Sequence, residues 1–127
     1  IATVMQHEAR DVDQVARYGG EEFMILMPET DAPAAAVAGQ RLRLRIADRP
    51  ISDGSRTVRV TISVGVADLG ETVDPTTLLR HVDEALYAAK EAGRNRTCVW
   101  TPDGPVSAED TGVPAAAAGP KEARPCA

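Results

Sequence analysis

The run Gly19-Gly20-Glu21-Glu22-Phe23 is the densest chemical feature of the sequence. Two glycines strip side chains from a turn where a ligand can approach, and two carboxylates follow at its mouth. A divalent cation suits such a pair, because magnesium takes a few carboxylates and completes its shell with substrate phosphate oxygens. A metal held there lowers the barrier to attack of a hydroxyl on phosphorus. Neighbouring strand residues face opposite ways, so Glu21 and Glu22 are expected to play unequal parts. The same five residues equally describe a plain surface hairpin with two glutamates.

Lys90 and Arg94 stand one helical turn apart, where a helix ends at Gly93. Both cations can meet a triphosphate there, or they can simply favour the negative end of the helix dipole. Arg10 and Asp13 form an Arg-x-x-Asp ahead of the hairpin, and Arg41 sits on the helix after it. Guanidinium forks suit phosphates and guanine edges. An isolated Arg-x-x-Asp is more often a surface pair worth under about 1 kcal/mol. His7 and His81 fall on helical segments with no carboxylate at ligand spacing, and are expected as surface or capping histidines. Cys98 and Cys126 show neither metal spacing nor a disulfide framework, which favours a reducing compartment.

The elements that must position these groups follow from periodicity and punctuation. Strand-like runs at 11–18 and 22–27 flank the glycines, predicting a tight hairpin with positive φ. Its second arm, Phe23-Met24-Ile25-Leu26-Met27, is apolar on both faces and predicts an interior strand. Pro28 closes that arm. Thr30 or Asp31 can cap a helix to about Asp48, with Val37, Ala38, Leu42 and Ile46 at helical spacing. Val58, Val60, Ile62, Val64 and Val66 alternate with small or polar residues, predicting one long half-buried strand. Asp74-Pro75 then caps a second helix running to Gly93, with Leu78, Leu79, Val82, Ala85, Leu86 and Ala89 as its stripe. A short strand is expected at 97–100. From Thr101 the chain turns to Pro, Gly and Ala without apolar period, so a foldable part at 1–100 and a disordered tail at 101–127 are expected.

Among the 127 residues, 43% are hydrophobic and 26% charged, an ordinary globular balance, and only 3% are aromatic, so aliphatic packing must hold the core. The net charge of −5 argues against nonspecific nucleic-acid binding, leaving any phosphate ligand to local cations or a metal. No apolar run reaches the roughly 20 residues of a membrane span, so no membrane contact by this segment is expected. The start at Ile1, in mid-pattern and without an initiator methionine, reads as a piece of something longer.

Three blocks, Arg17-Tyr18-Gly19-Gly20-Glu21-Glu22-Phe23, Val60-Thr61-Ile62-Ser63-Val64-Gly65-Val66-Ala67, and Asp83-Glu84-Ala85-Leu86-Tyr87-Ala88-Ala89-Lys90 with Gly93-Arg94-Asn95, resemble the GGDEF family of diguanylate cyclases, specifically the C-terminal half of that domain. The resemblance implies an α/β (α+β) fold like the palm of nucleotidyl cyclases, with a mixed, mainly antiparallel sheet flanked by helices. The part carrying an Asp-x-Asp metal strand and the guanine-reading Asn and Asp would lie upstream. It implies condensation of two GTP into cyclic di-GMP with release of pyrophosphate, Mg2+ (or Mn2+) as cofactor, and a homodimer in which each domain holds one GTP. By the same resemblance Gly19 and Gly20 admit the GTP, Glu21 binds metal and helps activate the 3′-hydroxyl, and Glu22 supports the metal. Lys90 and Arg94 match the phosphate-binding cations. Arg10 and Asp13, with Arg41 joining from the next helix, match the start of an inhibitory product site. A cytoplasmic place is implied, with any anchoring to the inner membrane left to upstream segments. Alternatives are a cyclic di-GMP-binding module without catalysis, and a nonfunctional truncated fragment whose exposed strand edges would aggregate.

Overall fold

The computed structural model describes residues 1–70 and 74–113, which fall into two units, Ile1–Thr30 and the chain from Asp31 onward. The first unit holds a short helix α1 (Ala2–Glu8) and an antiparallel hairpin of β1 (Gln14–Arg17) and β2 (Phe23–Leu26). Its register pairs Gln14 with Leu26 and Arg17 with Phe23, so five residues, not two, make the connection. Within it the Tyr18 and Gly19 N–H groups both donate to the Glu22 carbonyl oxygen, at 2.9 and 3.2 Å. Neither Gly19 nor Gly20 has positive φ, which corrects the expected turn geometry: the longer loop spreads the reversal over more residues. The interior place expected of β2 is also corrected. Among the described residues it pairs with β1 alone, and Leu26 is 52% exposed.

The second unit opens with α2 (Ala32–Asp48), whose N-cap Asp31 accepts from the Ala34 N–H at 2.9 Å. A hairpin of β3 (Ile51–Ser52) and β4 (Thr57–Val58) follows, then β5 (Val64–Val66). The single long strand expected at 58–66 is therefore broken, because residues 59–63 find no ladder partner among the described residues. Helix α3 (Pro75–Glu91) starts from Asp74, which accepts from Thr77 N–H at 2.8 Å, and carries the chain over to β6 (Thr97–Val99), parallel to β5. Beyond it β7 (Val106–Ser107) runs antiparallel to β6, and a 3-10 turn spans Ala108–Thr111. The disorder expected from residue 101 does not describe 101–113, where Ala108 and Val113 close the core. The rest of that expectation, 114–127, lies outside the described residues.

Two helices sandwich the β5-β6-β7 sheet, and strand alternation assigns its faces. Val66 and Val99 pack with Ala36, Ala108 and Val113 on the α2 side, whereas Cys98 packs with Ala88 and Ala89 on the α3 side. Small residues set the spacing. A Cβ at Gly39 would meet Val64 Cγ1 at 3.0 Å, and one at Gly65 would meet the α3 backbone at Leu86 N, 2.5 Å, and Val82 O, 2.6 Å. This close approach turns α2 so that Ala36, Gln40, Leu42, Arg43 and Ile46 are buried and Val37, expected inside, is 46% exposed. In α3 the buried set is His81, Ala85, Ala88 and Ala89. His81 is therefore no surface histidine: its ring stacks on Trp100 at 3.4 Å between centroids, and Trp100 Nε1 donates to Glu84 Oε2 at 2.8 Å. Cys98 is fully buried and disulfide-bonded, against the expectation of unpaired cysteines. Cys126 lies outside the described residues. The fold is α+β, and no described helix is long and apolar enough to cross a membrane.

Candidate functional site

At the hairpin tip, Glu21 is exposed and Glu22 half-buried; both lie in the loop between β1 and β2, where strand alternation does not apply. Arg17 Nε donates to the Gly19 carbonyl at 3.3 Å and its Nη2 to the Gly20 carbonyl, which fixes the loop from its own first strand. The glycines themselves are not demanded by the fold. A Cβ at Gly20 would meet nothing within 4 Å, one at Gly19 only Glu22 at 3.8 Å, and neither residue needs the left-handed region. Among the described residues no group of three or more His, Cys, Asp or Glu forms a metal cluster. Glu21 and Glu22 fit a magnesium-type ion only as part of its shell, with phosphate oxygens and water completing it.

Lys90 and Arg94 come together where α3 ends. Gly93, at φ 118°, donates to Lys90 O at 3.3 Å and Arg94 N–H to Ala89 O at 3.0 Å, the paired bonds of a Schellman stop. Arg94 continues left-handed at φ 62° and Asn95 at φ 47°. A non-glycine residue there costs about 1–2 kcal/mol. The Arg94 Nη1 folds back onto Lys90 O at 3.4 Å, so in this structure it caps the helix with its guanidinium otherwise exposed. Sequence reasoning missed Arg43. It is buried on α2, donating from Nε to Gln40 Oε1 at 3.0 Å and from Nη1 to Asn95 O at 3.2 Å and Asn95 Oδ1 at 2.9 Å. Burial pulls its pKa below the ordinary value, an effect partly offset by Glu109. No periodicity flags a cation on a core face.

Arg10 and Asp13 also meet. Arg10 Nη2 donates to Asp13 Oδ1 at 2.8 Å, its Nε to the same oxygen at 3.1 Å, and its backbone N–H to Asp13 Oδ2 at 2.8 Å. Nη2 reaches Thr30 Oγ1 at 2.7 Å as well, tying the end of α1 to the chain beyond β2. The Asp13 side chain is 1% exposed and that of Arg10 50%. The side-chain hydrogen bond from Arg10 holds the Asp13 carboxyl below its ordinary pKa of 3.8. A folded-state pKa depressed in this way gives stability that is present above pH 3.8 and is lost as pH falls through the folded value. Asp13→Asn is accordingly expected to lower stability at neutral pH and to flatten its dependence below about pH 4, as read by denaturant midpoints across pH. An unchanged acid limb would show that the pair adds nothing. Arg41 is exposed on α2, in the other unit from Arg10 and Asp13.

The family model "Diguanylate cyclase, GGDEF domain" matches residues 1–96. The chain belongs to the GGDEF diguanylate cyclase family. It is 42% identical over 89 residues to Response regulator PleD of Caulobacter vibrioides, covering 68% of this chain and 20% of that protein. It is 34% identical over 97 residues to Diguanylate cyclase A of Treponema denticola, 76% of this chain and 26% of that one. The chain thus spans a fifth to about a quarter of the length of these curated relatives. In three dimensions it is similar to the GGDEF domain of DgcB from Caulobacter crescentus, crystallised with c-di-GMP, at TM-score 0.67 and 30% identity, covering 76% of this chain and 58% of that one. The GGDEF match ends within the turn that precedes β6, so β6, β7 and the 3-10 turn extend past it.

Proposed function

We propose that this chain supplies the carboxylate loop and the phosphate-gripping helix end of a domain that condenses two GTP into cyclic di-GMP and releases pyrophosphate. One observation carries the reading: Gly19 and Gly20 answer no steric or torsional need of the chain, so the missing side chains serve something that approaches the loop from outside. A nucleotide is that visitor. Glu21 and Glu22 hold the divalent cation, Mg2+ or Mn2+, and Glu21 helps take the proton of the attacking 3′-hydroxyl. The bound cation contributes charge neutralisation at the phosphates. Lys90 and Arg94 grip phosphate oxygens, for which Arg94 must leave its cap on Lys90 O. Two domains face each other as a homodimer to close the ring, in the cytoplasm, with any membrane attachment made by other parts of the protein.

Among the described residues no third acidic group joins Glu21 and Glu22 as a metal cluster. The 127-residue chain incubated with GTP and magnesium is therefore expected to form no cyclic di-GMP above a protein-free control. A domain completed ahead of Ile1 should form it. Product from the chain alone would sink the requirement for upstream residues. No product from the completed domain would sink the cyclase reading in favour of a module that binds cyclic di-GMP without making it, a reading that calorimetry with cyclic di-GMP then tests.

Arg10 and Asp13, which meet within the first unit, form the product-inhibition site in this proposal. The guanidinium can grip phosphate or the guanine O6/N7 edge, and the carboxylate can accept from guanine N1 and N2 donors. In the completed domain Arg10→Ala should leave the initial rate intact and relieve inhibition in progress curves with added cyclic di-GMP. Equal inhibition of both proteins would leave the pair its tie to Thr30 alone.

A further inference from the structure

We propose that Arg43 is a positioning residue: it holds the Arg94-Asn95 backbone turn from which the Arg94 guanidinium is presented to a phosphate. This rests on the reading of Lys90 and Arg94 as phosphate-binding cations. Three consecutive left-handed residues, Gly93, Arg94 and Asn95, follow α3 at φ 118°, 62° and 47°. The Schellman bonds account for the first. The helix stop does not require the other two, and such backbone persists only where its surroundings over-determine it. Arg43 supplies that constraint from α2, because one nitrogen, Nη1, donates to both the carbonyl and the side-chain oxygen of Asn95. Those two bonds fix the orientation of the peptide after Arg94 and the Asn95 side chain together.

Arg43 can do this because it is itself immobile. It is 8% exposed, and its Nε is held by Gln40, which is 3% exposed. A buried guanidinium is costly, and an apolar side chain would fill the same volume more cheaply, so its presence points to a geometric task and not to packing. The Glu109 carboxylate, from the 3-10 turn beyond the family match, acts favourably on the same cation. Arg43 does not touch phosphate in this arrangement. It acts through Asn95 on Arg94, whose Nη1 sits 3.4 Å from Lys90 O.

The test uses the 127-residue chain, with inorganic tripolyphosphate as the probe and amide NMR as the second readout. Arg43→Lys keeps charge and stem but cannot hold Gln40 and Asn95 at once. It is expected to bind tripolyphosphate about tenfold more weakly, the scale seen when an outer partner that orients a ligand is lost. The three-bond amide couplings of Arg94 and Asn95 should leave left-handed values, with the thermal midpoint little changed. Arg94→Ala is the control for the parent reading. If it binds as the wild type does, the phosphate role of Arg94 falls. If it binds weakly while Arg43→Lys keeps wild-type affinity and couplings, only the positioning role falls. Should Arg43→Lys not fold, Asn95→Ala removes the shorter of the two bonds, that to Oδ1, from the exposed end while the backbone carbonyl stays, and unchanged affinity and Arg94 coupling there overturn the proposal equally.

Discussion

Glu21→Ala, made in a domain completed ahead of Ile1, is expected to lower cyclic di-GMP formation by about a thousandfold or more. A carboxylate that both holds the cation and receives a proton contributes several kcal/mol to the transition state, and each 1.36 kcal/mol is a factor of ten in rate. Glu21 is exposed at the tip of a loop whose backbone is fixed by Arg17 and by the Glu22 carbonyl, so its removal leaves the hairpin standing. Glu22 is half-buried, and its loss should damage rate together with some of the local structure. The measurement is initial rate by chromatography of product, with circular dichroism as the folding control. Turnover at the wild-type rate in a folded Glu21→Ala protein would make the hairpin structural only.

Gly65→Ala is expected to cost at least about 3 kcal/mol of stability, the upper end of the overpacking range. The added methyl would lie 2.5 Å from Leu86 N, 2.6 Å from Val82 O and 2.9 Å from Leu86 Cα. All three are backbone atoms of α3, which cannot rotate away as a side chain can. Either α3 lifts from β5, exposing Ala85, Ala88 and Ala89, or the unit does not fold. Gly20→Ala is the matched contrast, with nothing within 4 Å and no left-handed φ. It should change stability by no more than about 0.5 kcal/mol, as ordinary surface positions do. Urea midpoints decide both. A Gly65→Ala protein as stable as wild type would mean that α3 slides on the sheet.

The features legible in the sequence were those whose cause is local. Asp31 and Asp74, each followed by a proline in the first turn, announced both long helices, and each caps as its type requires. The Gly-Gly-Glu-Glu run marked the loop. Features that depend on a distant partner were not legible. Alternation over 58–66 promised a strand, but a ladder needs a neighbour, and only Val64–Val66 has one in β6. Counting apolar bulk placed Val37 inside, whereas close packing on β5 selected the smaller Ala36. His81 reads as polar until β6 delivers Trp100 to its face. Arg43 was hidden for the same reason, since its partner Asn95 lies 52 residues away.

Strand β6 is buried at all three positions and paired on both edges, to β5 on one side and β7 on the other. The GGDEF match stops at residue 96, one position ahead of it. A gene fusion that borrowed the matched region alone would thus leave behind the central strand of this sheet, together with Ala108 and Val113 from its core.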